Sequence, residues 1–593
     1  MKVNAITILV DSAMWECCGT TRAKVSATPF LDSLKNESIV ATKMYSHAPF
    51  TDAATKSLYS GRNTLDDYSF FLKLNSSPTN HFKSFHDSGY ETFGIYYPYY
   101  MYGNKIQECI DHSVFTGHFT FQSEWHSFMW FANILKEREL DERELSLCKK
   151  RMDLMFEVWL YHYNYLLEHP ESMMLLAKPF SNFNVNEGKE KLTALQTEYL
   201  KNKDSFIIDF LKNNGDMFRT IDTIDFNSLM DNKFIDECVF KKYNSVFAKA
   251  SRLNRKANIV KNAPSIKRII YAIRRYLKHR NIDDVKFLAN YWYSLRPIED
   301  MKKLSHLFEW QTDSSSYMQM EAAKKMLEKR DTSKPFYLSM HVMDPHNYLE
   351  CFSYDVQDER IIAEEMKVLD DYLDSVGTNF IGNILYFMSL RYFDYYLEKF
   401  CNDLKEKGLW DNTALLIVAD HGSSYSFHPL HGARVNCFDD ECYHIPMTMR
   451  IPGIKPKEVN HYCNSRDVLP TYLDALGLEL DPNFKGHSLL DENHEWPKYV
   501  QTEYTGPGCP EVSGRRLWFS CRDEKYMVAY RVAVYENFED GELVEVHDLT
   551  KDKECYYNLN DSIERNKIKY LLDVIERRFE EVKVDSQKFI DNL

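Results

Sequence analysis

No apolar run in the chain approaches the ~18 residues a helix needs to cross a bilayer, so no membrane span is expected. The opening Met1-Lys2-Val3-Asn4 runs at once into Ala5–Val10 and then Asp11. That leaves too short an apolar stretch for a signal peptide with a cleavage site. Cys-x-x-Cys pairs are also missing. The 13 cysteines are odd in number, and the adjacent Cys17 and Cys18 suit no ordinary disulfide, so a reduced, cytoplasmic chain is expected. Positive charge is in deficit, with 73 Lys and Arg against 88 Asp and Glu, a formal charge of −15. This balance argues against general nucleic-acid binding, which needs a basic face. No internal repeat and no low-complexity tract occurs.

What is present is ordinary globular material: 44% hydrophobic and 27% charged residues over a length of 593. Several short apolar runs each end in a polar or charged residue. They are Ile6–Val10 before Asp11, Thr92–Tyr97 before Pro98, Phe336–Val342 near Asp344, Ala414–Ala419 before Asp420-His421, and Met447–Ile451. Such runs, alternating with helical patterns, predict a doubly wound α/β sheet of buried, mostly parallel strands. Active sites in such sheets lie beyond the carboxyl ends of the strands, where the polar residues stand here.

Thr28-Pro29-Phe30 reads as a helix start, and Ile384–Lys407 as a long amphipathic helix stopped by Gly408. The stretch 112–330 is helical by pattern and interrupts the alternation. Within it, Lys241 to Arg280 is dense in Lys and Arg; it reads either as a solvated helix or as a surface for an anionic partner. Toward the end, Leu517–Val534 and Glu542–Leu549 read as a small antiparallel sheet, followed by a helix over Ile563–Val582. The expected organisation is an α/β core in two parts, 1–111 and 331–500, a helical insertion at 112–330, and a C-terminal unit at 501–593.

Four places on the chain meet if the sheet forms as read. These are Asp11; the segment Pro49 to Lys56 around Thr51; Asp344-Pro345-His346; and Asp420-His421-Gly422, followed by His428. Singly, each is weak. An Asp-His-Gly is usually a turn, a lone histidine is usually structural, and a Thr at a helix start is usually an N-cap. Jointly, at separate strand ends, they make a divalent-metal site. Oxygen and imidazole donors together suit Zn²⁺ or Mn²⁺ better than Ca²⁺.

The same segments resemble the sulfatase-like enzymes of the alkaline phosphatase superfamily. Ala5–Asp11 is similar to their opening strand, and Thr28–Leu34 to their Thr-Pro-Asn-Leu-Asp-x-Leu helix start. Tyr45–Thr51 through Ser60-Gly61-Arg62 resembles their nucleophile segment. Ala419–Gly422 looks like their metal-binding Asp-His, Asp467–Asp474 like the helix that follows, and Val546–Leu549 with Asn558-Leu559 like their closing strand.

The departures redirect the chemistry that the resemblance implies. Thr51 stands where sulfatases keep the Cys or Ser that becomes formylglycine, and Ala53 and Thr55 replace the guiding Pro and Arg. Ser12 replaces a second Asp. Thr cannot become formylglycine. Phosphoethanolamine and phosphoglycerol transferases use a metal-bound Thr with an acidic residue and an Asp-His pair, and Asp11, Thr51, Asp420 and His421 match that set.

The expected function is therefore hydrolysis or transfer of a phosphoric ester through a metal-activated Thr51, with Asp11, Asp420 and His421 as the other ligands. His346 and His428 would contact the transferred group or protonate the leaving oxygen. Lys56, His431 and Arg434 would bind an anionic ester substrate, with a carbohydrate or polymer as acceptor. The alternatives are a sulfuric ester hydrolase with an atypical nucleophile, and a catalytically silent binding protein of the same fold.

Overall fold

The runs that read as strands form the middle of one eight-stranded sheet. The computed structural model describes residues 2–18, 26–67, 70–96, 104–116, 124–173, 184–219, 315–346, 384–423, 438–506, 511–553, 555 and 557–591, and a few positions between 270 and 280. In chain order the described strands are β1 (Asn4–Val10), β2 (Ile39–Ala41), β3 (Met44–Tyr45), β4 (Glu91–Tyr96), β5 (His112–Phe115), β6 (Phe336–Val342) and β7 (Thr413–Val418). They continue with β8 (Met447–Arg450), β9 (Lys457–Val459), β10 (Cys463–Asn464), β11 (Val500–Tyr504), β12 (Leu517–Arg522), β13 (Tyr526–Val532) and β14 (Glu542–Asp548).

The large sheet has the order β5-β4-β6-β1-β7-β8-β2-β9. β5, β4, β6, β1 and β7 are mutually parallel. Strands β1, β6 and β7 are buried at every position, which is why they read as continuous apolar runs rather than alternating ones. Met447–Ile451 was expected among the parallel strands, but the strand formed there, β8, runs antiparallel to both β7 and β2. A strand buried on both faces carries the same apolar signature in either direction, so direction is not encoded in composition.

Because β1, β6 and β7 are parallel neighbours, their carboxyl ends share one edge. Asp11 follows β1, Asp344 and His346 follow β6, and Asp420 follows β7. The flanking helices are locally specified. In α1 (Pro29–Ser33) Pro29 sits at the start, where its missing N–H costs nothing, and the buried Asp394 carboxylate accepts the Phe30 and Leu31 N–H groups at 2.8 and 2.9 Å. The helix Ile384–Glu406 is followed by Gly408 in the left-handed conformation at φ 66°. Beneath the sheet, α2 (Thr51–Ser60) and α3 (His81–Asp87) contribute to an aromatic layer in which Phe85 stacks on Tyr337 at 3.8 Å.

The edge strand β5 opens the stretch read as the insertion. The described part beyond it is helical: Met129–Glu137, Glu142–Glu168, Val185–Lys201 and Lys203–Lys212, with Ser316–Glu328 returning beside β6. Asp141 and Glu144 form a reciprocal capping box on the longest of these. Most of the basic stretch Lys241 to Arg280 lies outside the described residues. Toward the C-terminus, β11 to β14 make an antiparallel sheet packed on the helix Lys569–Asp591. That helix begins six residues later than the sequence pattern places it.

Candidate active site

β1 does not end cleanly at Asp11. The Asp11 N–H still donates to the Val342 carbonyl at 3.0 Å, holding this residue in the sheet. The chain then turns sharply, since Ser12 has φ 60°, a left-handed conformation that costs a non-glycine residue roughly 1–2 kcal/mol. The turn is held from both sides. The Ser12 N–H donates to Asp420 Oδ1 at 3.0 Å, and its hydroxyl donates to Asp11 Oδ1 at 2.7 Å. Tyr386, at the start of the long helix, donates to the Ser12 carbonyl and accepts from the Met14 N–H, both at 2.7 Å. The hydrogen bonds that hold this turn therefore fix two buried carboxylates relative to one another.

Thr51 is the first residue of α2, after an extended Phe50 (φ −148°, ψ 154°). Its hydroxyl thus lies at a helix N-terminus, where the backbone dipole favours negative charge. Thr51 Oγ1 donates to Asp11 Oδ2 at 3.2 Å and lies 3.2 Å from His421 Nε2. His421 Nδ1 lies 2.5 Å from the Gly422 carbonyl, which can only accept, so Nδ1 carries a proton and donates it to that carbonyl. His421 Nε2 is 3.4 Å from Asp420 Oδ2 and 3.9 Å from Asp11 Oδ1. Gly422 is required where it is: an added Cβ would meet the Glu441 carbonyl oxygen at 1.7 Å.

Asp11 and Asp420 are both 0% exposed. Burial alone would raise the Asp11 carboxyl. The charges of His346, His341 and His421 and a hydrogen bond from His341 outweigh it and hold Asp11 well below the usual carboxylate range. Burial and the charge of Asp11 push Asp420 up. Asp420 Oδ2 accepts no hydrogen bond among the described residues. Two adjacent buried carboxylates, one with an unsatisfied oxygen, are costly without a cation, and the surrounding hydroxyl and imidazoles are donors of the right kind. The residues present therefore fit a divalent metal ion.

The structure brings Asp11, Thr51, Asp420 and His421 together, and half-buried His346 lies near enough to act electrostatically on Asp11. Lys56, expected to bind the anionic ester, does not join them. Five residues beyond Thr51, it has turned roughly 140° around the helix. It is 1% exposed, and its ammonium donates to the Asp66 carbonyl inside the fold. His428, His431 and Arg434 lie outside the described residues. Asp344 accepts the N–H of Ser316 at 2.9 Å and also its hydroxyl, tying the loop after β6 to the returning helix. Burial pushes its carboxyl up to about 7.

The sequence reading missed His341. It is the next-to-last residue of β6, on the same face as Tyr337 and Ser339, and its Nε2 lies 2.9 Å from Asp11 Oδ2. The available signal was a polar residue at every second position of an otherwise apolar strand, which the apolar run concealed.

A family model described as Sulfatase matches residues 279–478. An arylsulfatase of Clostridium perfringens is 26% identical over 344 residues, covering 52% of this chain and 64% of that protein. Lipoteichoic acid synthase 2 of Bacillus subtilis is 29% identical over 154 residues, 24% of this chain and 23% of that one. The chain therefore spans less than two thirds of the arylsulfatase and about a quarter of the synthase. Among solved structures, a phosphonate monoester hydrolase of Agrobacterium radiobacter aligns over 98% of this chain and 96% of its own, at 12% identity and a TM-score of 0.47. The family model over residues 279–478 and these relatives make the chain similar to sulfatases and to lipoteichoic acid synthases.

Proposed function

We propose that this chain is a metal-dependent hydrolase or transferase of phosphoric esters, with Thr51 as the nucleophile. The observation that carries the reading is the position of the Thr51 hydroxyl. It stands at a helix N-terminus, 3.2 Å from Asp11 Oδ2 and 3.2 Å from His421 Nε2, beside buried Asp420. Asp11, Thr51, Asp420 and His421 would hold the cation. Such an ion lowers the pKa of the hydroxyl and draws charge from a phosphoryl oxygen.

Thr51 Oγ1, its proton given up to solvent before the cycle begins, bonds to phosphorus in line as the bond to the leaving oxygen breaks. His346, half-buried and close enough to act on Asp11, would give that oxygen a proton. Water or an acceptor hydroxyl then attacks the phosphothreonine. That step releases or transfers the phosphoryl group, restores Thr51 and returns the proton to His346.

The choice of phosphorus over sulfur follows from the threonine. A sulfated threonine lacks the second hydroxyl through which a formylglycine hydrate expels sulfate, whereas a phosphothreonine is resolved by a second in-line attack. The wider span of the arylsulfatase match keeps sulfuric esters as the second reading. The substrate is read as an anionic ester, with a carbohydrate or polymer as acceptor. No described helix is long and apolar enough to cross a membrane.

Aryl sulfate, phosphate monoester and phosphodiester substrates should be assayed side by side on wild type and Thr51→Ala. The variant should lose turnover while still binding the cation, and a quenched wild-type reaction should carry a phosphoryl group on Thr51. Wild-type turnover by Thr51→Ala would remove this residue from the mechanism. A clear aryl sulfate preference would defeat the phosphoryl reading.

A further inference from the structure

We infer that His341 is a further ligand of the same cation, giving a donor set of three oxygens and two imidazole nitrogens. The inference rests on the metal reading above and adds to it the residue that sets which metal is bound. His341 belongs to none of the motifs that point to the site. It projects from within β6, at a position paired with Leu9 of β1, and its backbone carbonyl is held by the Gln319 side chain. Its ring is 3% exposed.

The geometry is that of a coordination shell. One ring nitrogen of His341, one oxygen of Asp11 and one oxygen of Asp420 lie within 4.8 Å of one another. Ligand–metal bonds of about 2.1 Å put neighbouring donors about 3.0 Å apart and opposite donors about 4.2 Å apart. The separations in the structure fall on that scale. They are 2.9 Å for His341 Nε2 and 3.2 Å for Thr51 Oγ1 to Asp11 Oδ2, 3.2 Å for Thr51 Oγ1 to His421 Nε2, 3.4 Å for His421 Nε2 to Asp420 Oδ2, and 3.9 Å for His421 Nε2 to the other Asp11 oxygen, Oδ1.

A simple hydrogen bond from His341 would satisfy one oxygen of Asp11. It would leave Asp420 Oδ2, in the same space, with no hydrogen bond from any described residue. A cation between the two carboxylates, with the His341 nitrogen turned to it as a lone pair, satisfies all three groups. The second imidazole has a chemical consequence. Ca²⁺ and Mg²⁺ prefer oxygen, whereas Mn²⁺, Co²⁺ and Zn²⁺ accept nitrogen readily, so His341 biases the site toward the latter ions.

The test counts nitrogens on the full chain loaded with Mn²⁺, with histidine labelled with ¹⁵N, by pulsed electron paramagnetic resonance. Two directly bonded imidazole nitrogens are expected in wild type and one in His341→Asn. By titration calorimetry the variant should bind Mn²⁺ and Zn²⁺ 10- to 100-fold more weakly, with Mg²⁺ and Ca²⁺ affinity changed less than threefold. His341→Gln, of closer size, serves if the asparagine variant does not fold, and the wild-type count needs no variant. One nitrogen in a wild type that binds Mn²⁺, or equal losses for all four ions, would make His341 only a hydrogen-bond partner of Asp11. The inference would then fall while the proposed function stands. A wild type that binds none of these ions would overturn both.

Discussion

Replacing Gly422 by alanine should disable the site without unfolding the protein, and the size of the effect follows from one close approach. The added methyl carbon would lie 1.7 Å from the Glu441 carbonyl oxygen and 2.8 Å from its carbon, where real contacts begin near 3.0 Å. The two backbones must therefore separate by about 1.3 Å. Neither can yield cheaply, because each is anchored to the other. The Gly422 N–H donates to the Cys442 carbonyl at 2.7 Å and the Ser423 N–H to the Glu441 carbonyl at 2.9 Å. Overpacking of this kind costs roughly 1–3 kcal/mol, which a chain with so large a core should survive.

The site is less tolerant than the fold. His421 is steered by its bond to the Gly422 carbonyl, so a displaced loop displaces Nε2. Metal bonds hold their length to about 0.2 Å, several times less than the shift required. Loss of this kind of outer support lowers metal affinity roughly 10- to 100-fold. Titration calorimetry with Zn²⁺ and Mn²⁺ on wild type and Gly422→Ala measures this, with far-ultraviolet circular dichroism confirming the fold. Affinity within twofold of wild type would show that the cation does not depend on His421, and the ligand set would have to be redrawn.

Tyr386→Phe removes a hydroxyl that serves two backbone groups of the turn after β1. Each group left unsatisfied costs about 1–3 kcal/mol, so the melting temperature should fall together with metal affinity, as thermal unfolding and metal titration would show. Arg578 is buried between Glu503, at 2.7 and 2.9 Å, and Asp66, at 2.7 Å, and links the C-terminal helix to the loop after α2. Arg578→Met should cost about 3–5 kcal/mol near neutral pH, because two buried carboxylates lose their cation. Burial would raise Asp66, but Arg578, Arg62 and Lys56 hold it down to about 2. Glu503 is likewise held below its ordinary value. Both depressed groups stabilise the wild type above the unfolded carboxyl pKa of about 4, and that stabilisation is lost as pH falls through their folded values. In the variant, burial without the guanidinium raises both carboxyls, so they take up protons earlier and the deficit narrows from pH 7 toward pH 5. Denaturant midpoints across that range check it, and a deficit that does not change with pH would refute the assignment.

How far the fold and site could be read depends on what each residue type encodes. Phe336–Val342 was delimited correctly, and Ile6–Val10 nearly so, because strands buried on both faces must be continuously apolar and short. Gly408 marked its helix end because few other residues accept a positive φ at so little cost. Direction has no such marker, which is why the antiparallel course of Met447–Arg450 was not visible. Composition could not separate Thr51 from Lys56 either. Both belong to one helix, and only its rotation against the sheet turns the first toward Asp11 and the second into a buried bond with Asp66. His341 shows the converse. Its signal was local, yet the apolar residues that alternate with it made the strand read as uniform. The left-handed Ser12 turn leaves no trace in residue identity at all, since serine seldom adopts that conformation and the hydrogen bonds from Asp420 and Tyr386 impose it from 408 and 374 residues away. The acidic and hydroxyl donors that end strands or begin helices are thus legible one by one. The turn that fixes their spacing is a tertiary property, and the spacing is what admits a cation.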